Sequence, residues 1–173
     1  MRPAATASQT VGPFFSIGMH SVNIASESAG ERLTIEGRVL DGDGNGVNDA
    51  VVETWQADSA GHYAERSSHG WGRVVTDGSG TFRFSTIKPG RPAGVGDVVQ
   101  APHIAVNIFA RGLLKPLFTR IYFPDEASNA SDHILASVPD DRRTTLIARP
   151  SGPNRFEWDI ILQGKDETVF FEC

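Results

Sequence analysis

The sequence predicts an all-β fold: a β-sandwich of mostly antiparallel strands with an irregular N-terminal arm and one or two short helices. Three observations point there. Apolar and polar residues alternate in several short runs, glycine- and aspartate-rich clusters separate those runs at fairly regular spacing, and helical periodicity is scarce. At 173 residues the chain suits one domain, residues 1–173, with its own core.

Residues 1–30 are rich in Gly, Ser and Ala with no sustained period, which reads as an arm. "LTIEGRVLD" (33–41) then sets Leu33, Ile35 and Val39 at one parity, and "DGDGNGVNDA" supplies a dense turn before "VVETWQAD". "TDGSGTFRFSTI" repeats the scheme, with Phe82 and Phe84 alternating against Arg83 and Ser85. Two segments, 125–138 and 140–148, could hold short helices with Asp at their starts as caps. Near the end, "FEWDIILQG" alternates Phe156, Trp158, Ile160 and Leu162 against polar neighbours, as expected of a half-buried antiparallel strand.

With 21 acidic against 16 basic residues the chain carries a net charge of -5, so no basic field exists to draw nucleic acid. No apolar run approaches the roughly 20 residues that span a bilayer. The single cysteine, Cys173, excludes an internal disulfide, and "MRPAATASQTVGPFFSIGMH" holds no unbroken apolar run of the kind a secretory leader has. A cytoplasmic protein is the expectation, with no membrane and no nucleic-acid partner.

Conventional catalytic signatures are missing. The histidines at 20, 62, 69, 103 and 133 form no i, i+2 or i, i+4 pair, and there is neither a G-x-S-x-G elbow nor a P-loop. The strand "PHIAVNIFARG" is the informative one. Ile104, Val106, Ile108 and Ala110 share the parity expected to face the core; His103, Ala105, Asn107, Phe109 and Arg111 share the other. At about 3.3 Å per residue Arg111 would lie roughly 26 Å from His103, too far for one small site. Tyr63 and Tyr122 fall in strand-like stretches, and Trp55, Trp71 and Trp158 read as packing residues. "DDRR" (140–143) reads as a solvated charged patch.

"ETWQADSAGHY" (53–63), "GWGRVVTDGSGTFRFSTIKPG" (70–90), "APHIAVNIFARG" (101–112), "FTRIYFPDE" (118–126) and "TVFFEC" together resemble the intradiol ring-cleavage dioxygenases, over nearly the whole chain from residue 8. That resemblance implies a β-sandwich and a non-haem ferric iron held by two tyrosines and two histidines. The iron motif is mostly broken in this chain. Where iron-bearing relatives read H-I-H, His103 is followed by Ala105; Gln100 replaces an arginine three positions earlier; Arg91 and Pro92 follow T-x-K-P-G where a proline and a ligand tyrosine are expected; and "AERSSHGWGR" offers no tyrosine.

One ligand of four is below the three protein ligands usual for a catalytic metal. The resemblance therefore implies a chain that binds no cofactor itself, with Fe(III) in a homologous beta-type partner subunit. "SQTVGPFF" (8–15) and "FARG" (109–112) match the alpha-type chains of the family's two-chain members. By that match Thr10, Gly12, Pro13 and Arg111 are implied to line the substrate pocket against the partner, where protocatechuate and O2 would give 3-carboxy-cis,cis-muconate. His103 is then expected to be a structural residue at a vestigial metal position. Two other readings stay open at this level: a self-sufficient metalloenzyme recruiting Tyr63, Tyr122 or His62, and a β-sandwich assembly module with no dioxygenase partner.

Overall fold

The computed structural model describes residues 4–22, 29–64, 70–94 and 98–172. Among the described residues nine strands form two sheets: β1 (Arg32–Leu40), β2 (Val51–Gln56), β3 (Trp71–Val75), β4 (Thr81–Ile87), β5 (His103–Phe109), β6 (Leu117–Tyr122), β7 (Arg149–Gly152), β8 (Arg155–Glu157) and β9 (Ile160–Ile161). One sheet runs β4-β1-β8-β7 with β9 also on β1, and the other runs β3-β2-β5-β6.

The alternation seen in the sequence is what makes the sandwich. Leu33, Ile35 and Val39 of β1, Phe82 and Phe84 of β4, and Ile104, Val106 and Ile108 of β5 all turn into one shared core. Ile35, Val39, Ile104, Val106 and Ile108 have no exposed surface, which locks the register of both sheets, because a one-residue slip would carry each row to water. The two predicted turns close through aspartates. Asp41 accepts the N–H groups of Asp43 and Asn45, and Asp77 those of Ser79 and Thr81, at 2.8–3.0 Å.

The C-terminal run departs from the expected pairing. Phe156, Trp158 and Ile160 keep their parity, but β8 and β9 lie parallel to β1, in register Ile35↔Phe156 and Val39↔Ile160. Between them the Trp158 N–H donates to the Glu36 carbonyl. Gly37 permits this approach, since a Cβ there would stand 1.7 Å from the Trp158 carbonyl oxygen. Trp158 itself is buried, its indole N–H donating to the Thr145 carbonyl at 2.9 Å.

The helical segments are shorter than the sequence suggests. Residues 125–138 resolve into a 3-10 turn, Ala127–Ser131, and one helix, α1 (His133–Ser137), while 140–148 holds only a 3-10 turn, Arg143–Leu146. The α1 cap is Asp132, not Asp125; its carboxylate accepts the N–H groups of Ile134 and Leu135. Asp125 instead pairs with Lys88 at 2.7 Å. "DDRR" is only half a solvated patch. Asp140 is exposed, but Arg142 donates to the Glu167 carbonyl and Arg143 to those of Val138 and Ala136, tying the turn down. In the arm, residues Phe15–Gly18 make a 3-10 turn and Val22 bridges to Arg73. Among the described residues no helix is long and apolar enough to cross a membrane.

Candidate functional site

The buried Gln56 of the W-Q-A-D motif joins the two sheets. Its amide N–H donates to the Ile87 carbonyl at 2.9 Å and its oxygen accepts from Thr86 at 2.7 Å, both at the end of β4. Asp58 closes the next turn by accepting the N–H groups of Ala60 and His62. Two of the motif's four residues therefore shape the scaffold that aims the outward face of β2, β5 and β6.

At the first end of β5, His103 is 2 % exposed. Its Nδ1 lies 2.9 Å from the Ala101 carbonyl, which can only accept, so the proton sits on Nδ1 and Nε2 accepts from the Tyr63 hydroxyl at 3.3 Å. Burial, reinforced by the Arg120 guanidinium nearby, lowers His103 from 6.5 to about 4 and keeps it neutral. Tyr63 lies in a loop, not in a strand as its sequence context suggests.

Ala105 pairs across the sheet with Arg120. Where a second imidazole would project, the face is open, and the neighbouring strand supplies a guanidinium whose Nη1 donates to Gln100 at 2.6 Å. The resulting concavity is about 380 Å³ and is walled by Trp55, Tyr63, Trp71 and Phe118 with His103 and Arg120. Trp55 and Trp71 are thus half-buried wall residues more than core packing, and Trp55 stacks on Tyr63 with centroids 6.2 Å apart.

The donor set does not fit ferric iron. The one imidazole has its lone pair engaged, and a fixed cation stands next to it. The replacement ligands weighed from sequence fare no better. Burial raises Tyr63, and burial followed by the Asp132 carboxylate raises Tyr122. Tyr122 donates to Asp132 at 3.1 Å, and the His62 side chain is 80 % exposed. Pro92 is buried and carries no donor, and Arg91 beside it is exposed. Among the described residues no cluster of three His, Cys, Asp or Glu could hold a metal; His69 lies outside them.

The other end of β5 is built differently. Arg111 follows the strand, 54 % exposed, and ion-pairs through Nε with Asp49, whose side chain is 11 % exposed. The second carboxylate oxygen of Asp49 is enclosed without a hydrogen bond, so Arg111 compensates a buried charge while keeping much of its own surface in solvent. Gly112, at φ +88, turns the chain and donates its N–H to the Thr10 hydroxyl at 2.8 Å. The structure thus brings Thr10 and the Arg111 turn together across 102 residues. Gln9 and Val11 continue along the same turn, sharing a groove with Phe109, Leu113 and Leu114. Gly12 and Pro13 are exposed on the following loop, and a Cβ at Gly12 would meet nothing within 4 Å.

Sequence reasoning missed Arg120 and Asp49. Neither belongs to a motif: each acts through a cross-strand or turn contact that linear spacing hides.

Comparison with known proteins identifies the family. The family profile described as Dioxygenase matches residues 17–164. The protocatechuate 3,4-dioxygenase alpha chain of Burkholderia cepacia is 41 % identical over 194 residues, covering 96 % of this chain and 96 % of its own. The beta chain from the same organism is 37 % identical over 161 residues, covering 82 % of this chain and 68 % of that one. An intradiol ring-cleavage dioxygenase from Tetranychus urticae superposes with a TM-score of 0.68 at 20 % identity, covering 91 % of this chain and 94 % of that one, a likeness of fold. The chain belongs to the intradiol ring-cleavage dioxygenase family.

Proposed function

We propose that this chain is the iron-free, alpha-type subunit of a protocatechuate 3,4-dioxygenase, completing the substrate pocket of a homologous beta-type subunit that holds Fe(III). The assembled enzyme opens the ring of protocatechuate with O2 to 3-carboxy-cis,cis-muconate, in the cytoplasm. The observation that carries the reading is the pairing of Thr10 with Gly112, which fastens the arm beside a half-exposed arginine at the end of β5 remote from the dead metal position.

Iron held by the partner would supply the activation of a chelated catecholate toward O2. This chain contributes binding and orientation. Arg111, anchored through Nε to Asp49 with 54 % of its side chain exposed, offers its guanidinium to the substrate carboxylate. Thr10, Gly12 and Pro13 shape the lip of the pocket, and the open space around Gly12 leaves room for a partner or substrate at close range. Phe14 and Ile17, each 75 % exposed, offer the apolar surface an obligate partner would cover.

Co-expression with a homologous chain carrying both tyrosines and the full H-I-H tests the proposal. The two chains are expected to co-purify and to cleave protocatechuate only together. Ring opening by this chain alone, or failure of the two to associate, would overturn it.

A further inference from the structure

The concavity left at the first end of β5 is neither packed shut nor simply polar. Trp55, Tyr63, Trp71 and Phe118 line it, with Arg120 among them and the Arg73 guanidinium stacked over the Trp71 ring. Arg120 is half-buried, donates Nη1 to a neutral amide and has an enclosed Nε with no acceptor. Among the described residues no carboxylate touches it directly; the buried Asp132 reaches it only through the Tyr122 hydroxyl, which hydrogen-bonds to both. The one acidic residue on the wall, Glu53, is taken by Arg73, whose Nε and Nη2 both donate to the same oxygen at 2.9 and 2.6 Å. A partly desolvated cation without a counter-ion is costly, and charges in such places are ordinarily paired.

We propose that this pocket binds a planar aromatic carboxylate without metal, the carboxylate on the Arg120 guanidinium and the ring against the aromatic walls. About 380 Å³ falls in the range of small-ligand sites and accommodates a single-ring acid. His103 and Tyr63 satisfy each other at the pocket floor, so the ligand needs no phenol or metal-chelating hydroxyls. That predicts a preference unlike one set by catechol chelation: benzoate should bind, and ring hydroxyls should add little. The site is complete on this chain and stands whether or not the proposed partner is correct.

The probes are benzoate and its neutral isostere benzamide, titrated calorimetrically against the full chain as it purifies, alone or assembled. Benzoate is expected to saturate a site on every copy of this chain, with Arg120→Gln and the use of benzamide each weakening it about tenfold or more, the loss of a charge-assisted pair. Should Arg120→Gln fail to fold, crystals of the unaltered protein soaked in benzoate decide: a carboxylate on Arg120 supports the proposal, and a pocket without benzoate overturns it. Equal binding of benzoate and benzamide at this pocket, or benzoate affinity unchanged by Arg120→Gln, would also overturn it.

Discussion

The two ends of β5 hold their titratable or charged side chains in opposite ways. At the His103 end every polar contact of the histidine is internal: Nδ1 to Ala101, Nε2 to Tyr63, with Arg120 held by Gln100 beside it. At the Arg111 end the charge is held by a buried carboxylate, remains half in solvent, and is flanked by a residue from the other end of the sequence. A metal ligand can be retired by satisfying its lone pair locally. A side chain that serves a neighbour must be anchored and still left open.

The largest expected effect that sharpens this contrast is a pH dependence at the His103 end. His103 titrates near 4 when folded and near 6.5 when unfolded, so between those values the unfolded chain binds more protons. Its contribution is therefore complete above about pH 6.5 and is lost as pH falls toward 4, on the order of 3 kcal/mol. Denaturant midpoints across that window should fall in the native protein and fall less steeply in His103→Asn, whose iron content in the complex should stay unchanged.

At the open end, Arg111→Ala should cost the assembled enzyme about 10- to 100-fold in kcat/KM for protocatechuate, the range for a hydrogen bond to a charged group, with iron content intact. An iron loss in that variant would erase the distinction between the two ends. Smaller again, Thr10→Val removes one hydrogen bond and should lower the protection of the Gly112 amide from hydrogen exchange by about 1 kcal/mol while leaving global unfolding within error. The smallest effect expected is none: Ala105→His restores the H-I-H spacing but leaves Arg120 opposite and the tyrosines absent, so metal analysis should read background iron.

Much of this was legible from pattern. The core row of β5, the parity of β1 and β4 and both aspartate turns follow from alternation and turn chemistry, which are local. The parallel pairing of β8 and β9 was not, because parity fixes which face a residue takes and says nothing of strand direction; the bare Cα of Gly37, which admits Trp158, is visible only once the partner is known. At the site, the departures from the family's ligand pattern could be read directly from Ala105 and Pro92, whereas the contacts around them could not. Arg120 meets Ala105 through a cross-strand register, and Asp49 meets Arg111 across 62 positions of sequence.

The central claim is that this chain's His103 end holds no iron and that catalysis draws on its far end. The most direct measurement is metal analysis of the full chain purified alone after expression with excess iron. Background iron and no tyrosinate-to-iron colour are predicted; tightly held, stoichiometric Fe(III) would contradict the account.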